Sequence, residues 1–411
     1  MAMSLEFYKE KNFKKVEVGG VIFEIPKDWE ISELGNVLEL LRNGLTAKQN
    51  KTGEGFPTSR IETISSGKID PNKVGYITNV STDELMNYRL KDGDILFSHI
   101  NSLEHIGKTA IYEGTPELLL HGMNLLLLRP NKLRVNSYYL LNLIRHYRTQ
   151  KIFRNISKKA VNQASINQRQ LSKIKVFLAD LEEQRKIAHV LTTIDKAIEE
   201  VDKAIKKAER IKKGLMQELL TKGIGHKEFK DTEIGRIPKE WEVVKLGDIL
   251  ILKNGERPKL SEKGSFFVYG ANGIMGLSNN YIVDSDYTII IGRVGASGEV
   301  HLGGGKIWVS DNAIYSESYN KSNTYLPFIF YLLKFKNLKS FAIKTTHPII
   351  TQSFLKSFKI PLPPLEEQKK IAEILSKWDR VIELKKAKRE KLERMKKKVM
   401  ELLLTGKVRV K

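Results

Sequence analysis

The chain has 411 residues, 41% hydrophobic and 29% charged, a balance ordinary for a folded globular protein and a length that predicts two or three domains. Its 70 Lys and Arg against 48 Asp and Glu give a formal net charge of +22, so a polyanion is the first partner to consider. With no cysteine, disulfides, thiolate catalysis, iron–sulfur clusters and Cys-ligated zinc are excluded together.

The first residues, MAMSLEFYKEKNFKK, lack the apolar run of a signal peptide, and no stretch approaches the ~20 apolar residues of a membrane span. A cytoplasmic protein with no membrane contact is expected. From Ile25 the chain reads IPKDWEISELGNVLELLRNG, and from Ile237 it reads IPKEWEVVKLGDILILKNG, so a second module opens as the first does. Between them, DGDILFSHINSLEHIGKTAIYEG from Asp92 predicts a strand, a polar turn and a strand. HGMNLLLLRP from His121 predicts a turn entering a strand, and Tyr138 to Arg148 a short helix.

Next comes INQRQLSKIKVFLADLEEQ from Ile166, leading into LEEQRKIAHVL at Leu181. Asp180 is placed to cap a helix, with Glu183 at the capping-box position and Glu182 favourable to the helix dipole. Apolar residues then recur at alternating spacings of four and three, Ile187, Leu191, Ile194, Ile198, Val201, Ile205 and Ala208, which is a coiled-coil seam. Ile211, Leu215 and Leu219 continue it after a step that breaks strict register. Such a helix is about 60 Å long at 1.5 Å per residue and needs a long partner.

In the second half, DSDYTIIIGRVGASGEVHLGGG from Asp284 predicts strand, turn and strand, GGGKIW from Gly303 a tight hairpin, and SDNAIYSES from Ser310 a turn entering a strand. The closing ITQSFLKSFKIPLPPLEEQ from Ile350 echoes the close of the first half at an offset of 184 residues, against 212 for the openings, so roughly 28 residues are absent from the second middle. Pro364 stands where the first copy has Asp180, and LEEQKKIAEIL follows from Leu365. On this second long helix Ile371, Leu375, Trp378, Ile382, Leu392, Met395 and Val399 match the seam, with Lys385 and Arg389 in place of Val201 and Ile205. The chain thus divides into 1–179, 180–223, 224–363 and 364–411, the second and fourth segments being long spacer helices; if these pack antiparallel, an approximate two-fold axis relates the halves. The fold class is α+β, with a pseudo-two-fold internal repeat.

The layout, with LADLEEQRKIAHVL closing the first half, PLPPLEEQKKIAEIL closing the second, and two IPK(D/E)WE openings before dissimilar middles, resembles the DNA specificity subunit of type I restriction-modification systems. The likeness covers nearly the whole chain after residue 20. It implies two target recognition domains, each reading one half of a split double-stranded DNA sequence, joined by two long antiparallel coiled-coil helices that set the gap. It also implies two docked methyltransferase subunits, restriction subunits joined through them, and no cofactor in this chain, with S-adenosylmethionine, ATP and Mg²⁺ on the partners. The first copy departs from the usual PLPPLEEQ by reading FLADLEEQ.

Under this resemblance the turns of the middles are the candidate contacts: Ser98, His99, Asn101, Lys108 and Asn124 in the first half, and Arg293, Ser297, Asn312 and Lys344 in the second. Arginine addresses guanine O6 and N7 in bidentate fashion, and asparagine does the same for adenine N6 and N7. Glu182, Glu183, Gln184, Glu366, Glu367 and Gln368 are candidates for contact with partner subunits.

No catalytic constellation is evident. An Asn/Asp-Pro-Pro-aromatic segment is lacking, since PLPPL at Pro361 has no amide or carboxylate before its prolines, and GGGKIW has neither the spacing nor the hydroxyl of a phosphate loop. The eight histidines show no H-x-x-x-H pair for a metal. Two other readings stay open at this point: a methyltransferase or nuclease with an unrecognised site, and a coiled-coil scaffold that binds only proteins.

Overall fold

The opening and closing stretches of each half pair with one another, which is why they repeat. The computed structural model describes residues 5–7, 12–161, 163–342 and 349–410, so Lys344 lies outside the described residues. The chain forms two compact units, Met1–Glu200 with Arg389–Lys411, and Val201–Lys388.

In the first unit β1 (Glu30–Glu33), just past the IPKDW stretch, pairs antiparallel with the closing strand Lys175–Leu178. Between them come β2 (Leu38–Asn43), β3 (Ile95–Phe97), β4 (Ile100–Asn101), β5 (Thr109–Ile111), β6 (Leu126–Pro130), α1 (Ser137–Thr149), β7 (Lys158–Ala160) and β8 (Gln163–Ser165), and the closing strand is β9 (Lys175–Leu178). The main sheet is antiparallel in the order β5-β3-β6-β2, and a smaller one runs β7-β8-β4. The strands β3 and β5 are buried at every position, as their apolar composition requires. Trp29, Phe97, Tyr139, Tyr147, Phe153 and Phe177 fill the core behind the sheet.

The helix α2 (Leu181–Leu219) leads into the second unit. There β10 (Glu242–Lys245), β11 (Leu250–Asn254), β12 (Phe266–Gly270), β13 (Gly273–Ser278), β14 (Val283–Gly292), β15 (Val300–Val309), β16 (Ala313–Tyr319), α3 (Leu326–Lys336) and β17 (Lys359–Leu362) precede α4 (Leu365–Leu404). Again opening and closing strands pair, β10 with β17. The sheet order is β11-β16-β14-β15-β12-β13. Its first four strands repeat the order β2-β6-β3-β5 of the first unit, so the two middles share a strand plan despite their unlike sequences. GGGKIW is not a hairpin: it lies inside β15, with Gly305 at φ +71° and the register against β14 shifting between Ser285 and Thr288, which is a bulge.

Each unit contains its own length of the helix pair, and in each the pairing is antiparallel. In the first unit Lys396 of α4 bonds Asp195 of α2 at 2.6 Å; in the second, Lys212 of α2 bonds Asp379 of α4 at 2.5 Å and Lys386 reaches Glu209 at 3.0 Å. Ile187, Leu191 and Ile194 of α2, with Met400 and Leu403 of α4, are buried in the first unit; Val201, Ile205, Ala208, Ile371, Leu375 and Ile382 are buried in the second. The expected seam slips once, because Met395 is 44% exposed while the Lys396 side chain, at 18%, takes the inward place and brings its charge to Asp195. Lys385 and Arg389 are half-buried.

Candidate nucleic-acid interface

In each unit one candidate turn is placed by a main-chain contact that only glycine permits. A Cβ on Gly44, at the end of β2, would overlap the Gly122 carbonyl, and one on Gly255, at the end of β11, would overlap the Ser310 carbonyl. The last residues of Arg-Asn-Gly and Lys-Asn-Gly thereby lie against the turns that carry Asn124 and Asn312, both exposed.

In the first unit Asn101 and Asn124 line a shallow cleft of about 440 Å³ together with Ile61, Ile100, Ser102, Val161 and Gln163. The Asn101 amide donates to Ser98 Oγ at 2.9 Å and its carbonyl accepts from Ser102 N–H at 2.8 Å, fixing its orientation. Asn124 holds φ 68°, a backbone state that asparagine tolerates better than most residues. A second concavity, of about 620 Å³, is lined by Lys51, Arg60, Glu62, Lys73 and Tyr76 from the segment between β2 and β3, with Arg60 3.4 Å from Glu62 and Lys73 3.6 Å from Asp70. Lys108 is half-buried and donates to the Ser65 carbonyl at 3.3 Å.

Ser98 and His99, two of the expected contacts, are both buried. Ser98 is 1% exposed and is used to hold the turn, while His99 is 8% exposed, and burial pushes its imidazole down to about 4. Neither side chain presents a free polar group to a duplex. Gln163 and Val161 were not foreseen in their place: they come from the tip of the β7–β8 hairpin, brought alongside by pairing of Ala164 with Asn101 and Ser165 with Ile100. The polar run KKAVNQAS is their signal in the sequence.

In the second unit the turns joining β12–β13, β14–β15 and β15–β16 meet. Arg293 N–H donates to the Asn312 carbonyl at 2.8 Å, Ser310 N–H donates to Tyr269 at 2.8 Å, and His301 Nε2 lies 3.3 Å from the Ala271 carbonyl. Arg293 is half-buried and Asn312 exposed. Ser297 is buried, 5% exposed.

Four of the six residues assigned to partner contact turn inward instead. Gln184 Oε1 accepts from Asn136 N–H at 2.9 Å, and its amide donates to the carbonyls of Arg134 at 3.3 Å and Ala179 at 2.8 Å. Gln368 repeats this, accepting from Tyr325 N–H at 2.8 Å and donating to Asn323 at 2.7 Å and Pro363 at 2.8 Å. Each glutamine therefore staples its helix start to the segment entering α1 or α3. Asp180 caps α2 as expected, accepting from Glu183 N–H at 2.8 Å, but the Glu183 side chain does not close a capping box. It receives a bidentate Arg409 guanidinium, both bonds at 2.7 Å, and Arg409 also pairs with Asp28. Glu367 accepts from Ile224 N–H at 2.8 Å and Trp241 Nε1 at 3.0 Å, with His226 Nε2 at 2.9 Å. Each glutamate thus captures the tail that follows the other long helix. Glu182 and Glu366 remain outside, their side chains 75% exposed in both cases.

Among the described residues no group of His, Cys, Asp or Glu is placed to hold a metal ion, and no helix is long and apolar enough to cross a membrane. The family model described as type I restriction modification DNA specificity domain matches residues 26–210 and 238–394, and the chain belongs to that family. It is 47% identical to the MjaX type I restriction enzyme specificity subunit of Methanocaldococcus jannaschii, over the whole of both chains. It is 31% identical to the MjaVIII specificity subunit of the same organism, over all of this chain and 99% of that one. The crystal structure of a type I restriction-modification S subunit from M. genitalium shares its fold, with a TM-score of 0.62 and 16% identity over 92% of this chain and 96% of that one.

Proposed function

We propose that this chain reads a bipartite duplex target, one half-site through the Asn101, Asn124 and Gln163 cleft and the other through the Arg293 and Asn312 turns. It is the specificity subunit of a type I restriction-modification system, a recognition subunit and not an enzyme. The observation that carries the bipartite reading is the repeated frame: one strand plan, one glutamine staple and one glycine contact present two dissimilar turn clusters. Asparagine, glutamine and arginine are the side chains that pair bidentately with adenine and guanine edges, and Lys51, Arg60 and Lys73 supply phosphate contacts that carry no sequence information.

The chain works with DNA and partner subunits in the cytoplasm. Two methyltransferase subunits dock on it, the exposed Glu182 and Glu366 at the helix starts lying in their path, and restriction subunits join through them. S-adenosylmethionine, ATP and Mg²⁺ are held by those partners. The paired long helices fix the gap between half-sites.

The test is methylation of a random duplex library by the chain purified with its methyltransferase subunits. Products should share a split motif, and binding should weaken steeply with salt. Modification spread evenly over the library would sink the reading. The chain alone, given duplex, Mg²⁺ and S-adenosylmethionine, should neither methylate nor cut.

A further inference from the structure

Two polar clusters recur at equivalent points of the repeat, each where the helix pair meets its reader. In the first unit Asp195 of α2 accepts from Lys396 of α4 at 2.6 Å, and the Arg145 guanidinium, from α1, stands 4.0 Å from the same carboxylate. In the second unit Asp379 of α4 accepts from Lys212 of α2 at 2.5 Å and from the Tyr331 hydroxyl of α3 at 2.8 Å. Asp195 and Asp379 are related by the 184-residue offset of the repeat, and so are Lys212 and Lys396. The same Asp–Lys bond therefore ties the long helices together in both units. The third member comes from the reader, and it differs.

These bonds are shielded on one side: the lysine side chains are 18% and 19% exposed and Tyr331 5%, while the Asp195 and Asp379 carboxylates are 31% and 37% exposed. Apolar packing of α1 or α3 on the helix pair is non-directional and opposes sliding only weakly, whereas the Tyr331–Asp379 hydrogen bond fixes one angle and one height, and the Arg145–Asp195 ion pair at 4.0 Å holds its reader by charge with a looser geometry. Arg145 extends the connection outward by donating to the Gly67 carbonyl at 2.6 Å, in the segment that also contributes the second concavity.

We infer that Asp195 and Asp379 are positioning residues for recognition: each locks its reader in one seat on the helix pair and so determines which spacing between half-sites is accepted. Neither residue touches DNA. The inference rests on the specificity-subunit reading.

Its test uses the complex with methyltransferase subunits and two duplex libraries built on the motif that the wild-type complex selects. One library varies the gap in single base pairs, and the other varies half-site bases at constant gap. In complexes carrying Tyr331→Phe, Asp379→Asn or Asp195→Asn, the rate ratio between the preferred gap and its neighbours should fall several-fold, less than the worth of a fully buried charged hydrogen bond because the carboxylates are about a third exposed, and least for Asp195→Asn, whose contact to the reader is a 4.0 Å ion pair. Base preferences within half-sites should stay as in wild type, and Tyr331→Phe should cost less in the Asp379→Asn background, where the hydroxyl meets a neutral amide oxygen in place of the carboxylate.

An unchanged gap ratio overturns the inference, and so does a rate loss spread evenly over all gaps, which marks a merely structural role. If Asp379→Asn does not assemble, Tyr331→Phe decides, because it keeps the Asp–Lys bond. A wild-type complex without any half-site preference overturns the underlying reading and the inference with it, and is recognised before any variant is made.

Discussion

Burial holds the imidazoles of His99 and His121 neutral, each pushed down to about 4, and for His121 the nearby Arg42 and Arg129 charges add to the penalty on protonation. His121 Nε2 lies 3.0 Å from the Leu125 carbonyl, which suits a neutral ring donating from that nitrogen. An unfolded histidine takes its proton near 6.5, so between 6.5 and 4 the unfolded chain binds more protons than the folded one. The stabilisation from these two residues is therefore complete above 6.5 and is lost as pH falls toward 4. Denaturant midpoints of the first unit's tryptophan and tyrosine signals should decline through that window, and a His99→Gln, His121→Gln double variant should flatten the decline. A variant whose midpoint falls as steeply as wild type would contradict the assignment.

Among elements, the two long helices begin where a buried amide makes three bonds at once. Replacing Gln184 or Gln368 by leucine leaves one main-chain N–H and two carbonyls without partners, and should destabilise the affected unit by about 2 kcal/mol in chemical denaturation, whereas Glu182→Gln on the exposed face should change nothing measurable. The elements themselves were legible in the sequence: the seam spacing marked both helices, Asp180 marked a start, and the unlike middles still declared strand, turn and strand. The glutamate and glutamine roles were not. Their partners, Arg409, Asn136, Ile224 and Tyr325, lie far away in the chain and are joined to them only by tertiary structure. The slip from Met395 to Lys396 was hidden for a related reason, since a seven-residue pattern does not know that a lysine has a carboxylate waiting across the seam. Of the proposed contacts, Asn101 and Asn124 were reachable because they sit in predicted turns. Gln163 was not, because its place depends on a hairpin pairing back onto β4.

At the scale of the whole molecule, length along α2 and α4 is the variable that the ruler reading turns into DNA spacing. Removing one heptad from each helix shortens the pair by about 10 Å at 1.5 Å per residue, close to three base-pair rises. The preferred gap should shorten, or specific modification should vanish where the helical phase of the duplex no longer suits both readers. Sequencing of methylated library products decides, and an unchanged recognition gap would exclude the helices as ruler. Shortening α2 alone should instead break the seam and lower the yield of folded chain, because antiparallel partners must change together.

The glutamine staple also bears on how such a protein diverges. All three of its bonds, in each half, go to main-chain atoms, so the reader-side residues it grips are Arg134 and Asn136 in one half and Asn323 and Tyr325 in the other without any change in the joint. A fastening that ignores side chains leaves the readers' own sequences free to drift. New specificities can then arise by substitution in a head while its mounting is inherited unaltered.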